Sequence, residues 1–333
     1  MDIDFVILWV DGSDPNWLKE KNKYQNSEEN ESNSINRYRD WWLLPYWFRA
    51  VEKFTPWVRK IHFVTWGHLP AFLDLNAPKL NIVRHDEFIP SECLPTFSSH
   101  AIEINIHRIP DLAEHFVYFN DDTFLLRPMS EENFFKDALP CTYGGEVPLQ
   151  LSGEIGIWQH AMVNDLGIVN KNFSKRESVQ KYRKKYTDKS YRWKDNLRTI
   201  VLEKLYPDYF TGFKILHAPS AYLKKQFEEV WNAEPEKLCS TSKNRFRTCN
   251  DVNQWVVLWW QIVSGNFSPA VIDNQVMVIN DETIDELCNT IKEQKHDFIC
   301  PNDPDDDIDF DALANKLKNA FESLLPEKSV YEI

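Results

Sequence analysis

Positive charge is scarce in this chain. Its 333 residues carry 38 Lys and Arg against 51 Asp and Glu, a formal net charge of −13. A surface of that sign repels phosphate backbones, so nucleic-acid binding is disfavoured. No apolar run approaches the roughly 20 residues that cross a bilayer, so no transmembrane segment is expected. The first residues lack a basic stretch ahead of their apolar run, which predicts a strand there and not a signal peptide. The six cysteines (Cys93, Cys141, Cys239, Cys249, Cys288, Cys300) include no Cys-x-x-Cys pair. Buried free thiols in a reducing cytoplasm are therefore expected, without disulfide bridges or zinc. Internal repeats and long linkers are absent too, and the length suits one large or two modest domains.

Aromatic residues are plentiful: 13 Trp, 12 Tyr and 21 Phe, a set suited to a large core and to stacking on sugars. With 43% apolar and 27% charged residues, the composition is that of a globular protein. The most informative stretch is Phe116-Val117-Tyr118-Phe119-Asn120-Asp121-Asp122-Thr123-Phe124-Leu125. Its continuous apolar start predicts a strand buried on both faces. Two adjacent carboxylates at the end of such a strand repel each other unless a positive group lies between them. A divalent cation, Mg²⁺ or Mn²⁺, with phosphates on its far side suits them, because hard cations take both kinds of oxygen. The plainer alternative is a turn, which Asn and Asp also favour.

Elsewhere the pattern alternates between strand and helix. Asp4 to Val10 reads as a first buried strand running into the turn Asp11-Gly12-Ser13-Asp14-Pro15, a common place to hold a nucleotide in α/β folds. Residues 19–36 are polar and read as a loop or lid. A helical stretch follows to Phe54, with Asp40 as its N-cap, Pro45 disturbing its first turn and Pro56 stopping it. Residues 61–65 and 80–84 read as strands, 98–109 as a helix, 213–216 as a strand leading into His217, and 298–303 as a short strand ending in Asn302 and Asp303. An aromatic helix carries Trp255, Trp259 and Trp260. The acidic run 305–309 lacks the Gly and spaced Glu of a calcium loop and reads as the cap of a final helix from Phe310 to Leu324. Residues 171–198 are strongly basic, and the plain reading is a solvated helical insertion; a positive face for an anionic acceptor or a membrane surface is the alternative. The expected fold is α/β, with a mostly parallel central sheet flanked by helices, Rossmann-like or glycosyltransferase-A-like, and a helical basic insertion. A single catalytic domain over 1–333 would comprise a nucleotide- and metal-binding half (1–170), the insertion (171–210) and a remainder (211–333).

Several of these blocks together resemble the Stealth family. That family comprises bacterial capsular-polysaccharide phosphotransferases and the catalytic subunits of animal N-acetylglucosamine-1-phosphotransferase. The blocks are Asp4 through Gly12; Arg37-Tyr38-Arg39-Asp40 through Pro56-Trp57-Val58-Arg59-Lys60-Ile61, Leu94 through Glu103, His107-Arg108-Ile109-Pro110 and Tyr118 through Asp122; His217-Ala218-Pro219 with Arg245-Phe246-Arg247; and Phe298 through Asp303. The chain departs from the pattern at Leu43 and Pro45, where the family carries polar residues, and at Trp66-Gly67-His68, which leaves the donor sugar open.

The resemblance implies transfer of hexose-1-phosphate from a UDP-hexose to a glycan hydroxyl, with release of UMP. It implies a cytoplasmic enzyme, at the inner face of the membrane if its acceptor is lipid-linked. Under it, Asp122 and Asp121 hold the cation with Asp303 or Asn302 completing its site, Arg247, or alternatively Arg245, clamps the phosphoryl oxygens, and His217 is the base for the attacking hydroxyl. Asp11, Gly12, Arg39, His100, Glu103, Arg245 and Asn302 bind substrate. Two other readings share the sequence features: a metal-dependent glycosyltransferase that releases UDP, and a non-catalytic carbohydrate-binding protein.

Overall fold

Apolar runs without alternation are what a sheet covered on both faces requires, and β1 (Ile3–Leu8) is such a run. A computed structural model describes residues 1–25, 39–151, 153–304 and 308–333. After β1 come α1 (Pro15–Asn22) and α2 (Leu44–Phe54), then β2 (Ile61–Thr65), β3 (Leu80–Arg84), the short helix α3 (Ser99–Glu103) and β4 (His115–Phe119). The middle of the chain holds β5 (Phe124–Leu125), α4 (Glu131–Phe134), β6 (Phe135–Lys136), β7 (Leu139–Thr142), α5 (Ile157–Asn172), α6 (Lys175–Tyr186) and α7 (Trp193–Leu205). The last third holds β8 (Ser220–Leu223), α8 (Lys224–Ala233), α9 (Pro235–Ser242), α10 (Trp255–Val263), β9 (Ser268–Pro269), β10 (Asn274–Val278), α11 (Ile284–Lys292), β11 (Phe298–Asn302) and α12 (Phe310–Leu324).

The main sheet has the order β3-β2-β1-β4-β8, parallel except for β8, which runs antiparallel to β4. The expected α/β class with a mostly parallel central sheet is thus observed. Along β1, Phe5 and Ile7 face one apolar cluster with α2, α11 and α12, while Val6 faces a second with α5, α8 and α10. Helices therefore cover both faces, which is why these strands read as unbroken apolar runs. Two three-stranded sheets flank the main one, β10-β11-β5 and β6-β7-β9. From β1 the chain winds outward to β2 and β3, then returns to lay β4 on the other side of β1. The carboxyl ends of β1 and β4 therefore bracket the point where strand order reverses, the usual ligand position in open α/β sheets. At the opposite end of β1, fully buried Asp4 accepts hydrogen bonds from Arg59 and from the Ala113 amide and lies 3.0 Å from His62, so the strand is pinned away from that opening.

Local expectations needed revision in several places. Residues 19–22 belong to α1, whose N-cap Asp14 accepts from the amides of Asn16 and Trp17; residues 26–38 lie outside the described residues, Arg37 and Tyr38 among them. Asp40 does not cap α2, which starts at Leu44 with Pro45 in its first turn, where a missing N–H costs nothing. Asp40 instead accepts from the Trp42 amide. The helix expected over 98–109 breaks into α3 and a single 3-10 turn at Ile106–Arg108. No strand forms at 213–216: Phe213 makes only an isolated bridge to Glu146, and the strand begins later, at Ser220. Asp309 caps α12 as expected, and residues 305–307 lie outside the described residues. The insertion is helical, as α6 and α7. It is tied to the body by a buried ion pair, Lys175 to Glu146, 2.7 Å, whose carboxylate also accepts from the Thr211 amide and hydroxyl. All six cysteines are free; Cys239 is half-buried and Cys249 exposed, the other four buried.

Candidate functional site

The carboxyl end of β4 delivers Asn120, Asp121 and Asp122 to the sheet opening. His217 reaches the same place from the other direction. Because β8 is antiparallel to β4, with Ser220 opposite Tyr118, the segment entering β8 sits at the end where β4 leaves. His217 Nε2 lies 3.1 and 3.2 Å from the two carboxylate oxygens of Asp122 and 3.2 Å from the Asn120 amide. A carboxylate oxygen only accepts, so Asp122 favours the tautomer with the proton on Nε2, and Asn120 meets the same nitrogen through its side-chain amide. The His217 carbonyl accepts from Asn274 on β10, which fixes the ring's backbone. Burial alone would lower the His217 pKa, but the hydrogen bond and charge of Asp122, with Asp121 and Glu103, outweigh it and raise the value.

Asp121 meets solvent on one side and protein on the others. Its carboxyl pKa is pushed up to about 7, first by the surrounding protein and then by the charges of Asp122 and Asp40; water on the open side moderates the rise. Asp40 is also raised, by burial and by Asp11. Four carboxylates thus share one neighbourhood, and Asp40 is a member that the sequence assigned to helix capping. Asp11 accepts from the Ser13 amide and hydroxyl, and its own amide donates to His68 Nε2, 2.8 Å, so the Trp66-Gly67-His68 loop buttresses the β1 turn. Gly12 lies in that turn.

Mutually repelling carboxylates suit a hard divalent cation. Asp122, His217 and Cys300 also place ligand atoms within 4.8 Å of one another. The Cys300 thiol, however, is held protonated: burial and then Asp122 push its pKa well up, and it donates to Asp122 at 3.4 Å. It therefore fits as a prop for the carboxylate. Sequence reasoning missed Cys300 because it reads as one more apolar residue of β11. Asp303 is elsewhere engaged, 3.4 Å from Arg39, whose guanidinium also lies over the Phe310 ring. Asn302, at the end of β11, accepts through its carbonyl from the Ile279 amide.

Helix α3 links this acidic centre to the arginines. Ser99 accepts from Arg247 at 2.6 Å, His100 Nδ1 lies 3.3 Å from Asp251, and Glu103 accepts from Tyr118 of β4 at 3.3 Å. The second carboxylate oxygen of Glu103 is buried without a protein partner among the described residues. Arg245 stacks over the Tyr24 ring at 4.5 Å, and its carbonyl accepts from the Phe97 amide. Among the described residues neither Arg245 nor Arg247 pairs with a carboxylate, although both are half-buried in an acidic protein. Such guanidinium groups are ready for an anion.

The loop that carries them is organised by a residue the sequence reading overlooked. Asp251, fully buried, accepts from the Thr248 amide and hydroxyl and from Asn244, besides facing His100. Burial would raise its pKa, but these bonds, that of His100 foremost, keep it below the ordinary value. The Thr248-x-x-Asp251 spacing was the available signal, a side-chain-to-backbone turn pattern.

Residues 1–29 match Stealth protein conserved region 1, and residues 37–141 match conserved region 2. The chain is 39% identical to a capsular polysaccharide phosphotransferase WcwK of Streptococcus pneumoniae, over 99% of this chain and 98% of that protein. It is 36% identical to the exopolysaccharide phosphotransferase cps2G of Lactiplantibacillus plantarum, covering 99% and 96%, and 37% identical to the receptor polysaccharide phosphotransferase WefC of Streptococcus oralis, covering 99% of each. Among solved structures it is similar to the galactosyltransferase LgtC in complex with donor and acceptor sugar analogues, at 12% identity and a TM-score of 0.38, over 96% of this chain and 95% of that one. The two conserved regions hold the β1 turn and the β4 carboxylates, and the likeness to whole phosphotransferases runs end to end: this chain belongs to the Stealth family and is a phosphotransferase.

Proposed function

We propose that the protein moves hexose-1-phosphate from a UDP-hexose, with UDP-N-acetylglucosamine a candidate donor, to a hydroxyl of a glycan acceptor, free or lipid-linked, in capsular or cell-surface polysaccharide synthesis. The observation that carries this reading is the coupled pair Asp122–His217 at the sheet's switch point. Asp122 accepts from Nε2, so it orients the imidazole and stabilises the imidazolium formed when Nδ1 takes a proton from the attacking hydroxyl. The hydroxyl oxygen bonds to the phosphorus that bears the sugar. The bond from that phosphorus to the bridging oxygen breaks, UMP leaves, and the sugar's anomeric bond is untouched.

Arg247, held by Ser99, and Arg245 are suited to receive the phosphoryl oxygens, whose charge must be met by fixed donors. Glu103, with one buried oxygen that has no protein partner among the described residues, suits a sugar hydroxyl. His100, Asp11, Gly12, Arg39 and Asn302 are assigned to donor contacts. Asp121 and Asp122 would hold Mg²⁺ or Mn²⁺ through oxygen, while Asp303 pairs with Arg39. Such a cation, when bound, offsets diphosphate charge and polarises the phosphorus under attack. Incubation with a panel of UDP-sugars, acceptor glycan and Mg²⁺ or Mn²⁺ tests the reading. UMP should appear with one donor, and EDTA should stop it. UDP in place of UMP would make the protein a glycosyltransferase, and no nucleotide release with any donor would favour a carbohydrate-binding role.

A further inference from the structure

The basic insertion has no part in the site described above, and its outer surface is unlike the rest of the molecule. Residues 171–210 contain twelve Lys and Arg against five Asp and Glu, in a chain whose net charge is −13. Within it, α7 exposes Trp193 (70%), Leu197 (52%), Val201 (43%) and Leu205 (65%). Spaced by four, these residues advance about 40° apiece around a helix of 3.6 residues per turn, so they form one continuous stripe. Lys194 and Lys204 fall within the same sector, and both are exposed.

The two acids of α7 lie on the other side, turned to the body of the protein and engaged. Asp195 pairs with Arg192 at 3.1 Å and Arg198 at 2.9 Å, and Glu203 with Arg183 at 3.1 Å. Buried Thr199 and Leu202 occupy that inner face. The outer face therefore consists of large apolar side chains and lysines, with no carboxylate. Tyr206 and Tyr209, just past the helix end, are exposed as well.

We propose that this face docks on a bilayer containing anionic phospholipid, with α7 lying in the plane of the surface. Trp and Tyr sit well at the level of lipid headgroups, and lysines on an apolar face can bury their stems while keeping the ammonium beside lipid phosphate. Polybasic surfaces are drawn to anionic leaflets, and the acidic remainder of the chain is repelled by them. Together these select one orientation, insertion downward. Twofold pairing of α7 with a second copy would set Lys194 and Lys204 against like charges, which is unfavourable. The proposal does not depend on which bond the enzyme breaks.

The test uses the full chain and unilamellar vesicles, and reads sedimentation. Mixed phosphatidylglycerol and phosphatidylcholine vesicles should carry the protein down, pure phosphatidylcholine much less, with binding falling as salt rises. Replacing Trp193→Ser, Leu197→Ser and Leu205→Ser together should weaken binding by about tenfold or more, since that apolar area supplies the insertion. Lys194→Gln with Lys204→Gln should narrow the gap between the two lipid mixtures. All five side chains are exposed, so the melting curves should match that of the parent. Equal sedimentation of the triple variant and the parent, or no binding to either vesicle, would overturn the proposal. So would light scattering that shows a dimer in the parent, monomer in the triple variant and no vesicle binding by either.

Discussion

Two groups at the end of β4 hold protons more tightly in the fold than free in water. The Asp121 pKa moves from 3.8 to about 7, and that of His217 moves above 6.5. The folded state therefore binds extra protons, from about pH 4 to 7 at Asp121 and above about 6.5 at His217. Their contribution to stability is full below the ordinary pKa and is lost as pH rises through the folded value. A cation on these oxygens removes that loss, because it replaces the proton. Mn²⁺ should therefore raise the melting temperature more at about pH 8 than at about pH 5.5, and Asp122→Asn should remove most of the effect. Equal shifts at both pH values, or an undiminished shift in the variant, would detach the carboxylates from the cation. His217→Ala should lower turnover by about a hundredfold or more, with donor affinity measured by calorimetry little changed, because in the proposed reaction the base acts on the acceptor hydroxyl. Loss of donor binding would make His217 a donor contact instead.

Positioning belongs to the elements, and two of them carry it. The 244–251 loop holds both arginines, and Asp251 ties it to His100 of α3. Asp251→Ala should cost about a hundredfold in kcat through misplacement of Arg247, together with a clear drop in melting temperature, because the buried Thr248 amide, Asn244 and His100 lose their acceptor. Addition of a guanidinium salt should not restore it, since the charge is still present. Unchanged kcat would limit Asp251 to packing. In the insertion, Lys175→Met strands the Glu146 carboxylate in the interior and should cost about 3–5 kcal/mol in urea unfolding. A loss under 1 kcal/mol would mean that the Thr211 bonds suffice. The sequence exposed β1 to β4 well, since strands buried on both faces leave unbroken apolar runs. It pointed to Asp122, His217 and Arg247 through their resemblance to a family pattern. It did not show that β8 starts only after His217, because Phe213-Lys214-Ile215-Leu216 has a strand's composition but lies as a single bridge beside Glu146. Nor did it show the tie between His100 and Asp251, 151 residues apart in the chain, since no local pattern encodes such a pairing.

At the scale of the whole molecule, a parallel sheet holds two strand ends side by side and the rest of the chain brings chemistry to them. β1 supplies Asp11, β4 supplies Asp121 and Asp122, and the segment before antiparallel β8 supplies His217. α3 stands between these acids and the arginines, with side-chain bonds in both directions. Charge is sorted in the same way, acids at the sheet opening and on most of the surface, bases in the insertion. The central claim is that this assembly breaks the diphosphate and leaves the sugar–phosphate bond whole. A UDP-sugar carrying radioactive phosphorus only at the position attached to the sugar tests it in one chromatogram. The account predicts label in the glycan product, in step with unlabelled UMP. Label recovered entirely in UDP, with none in the glycan, would contradict it.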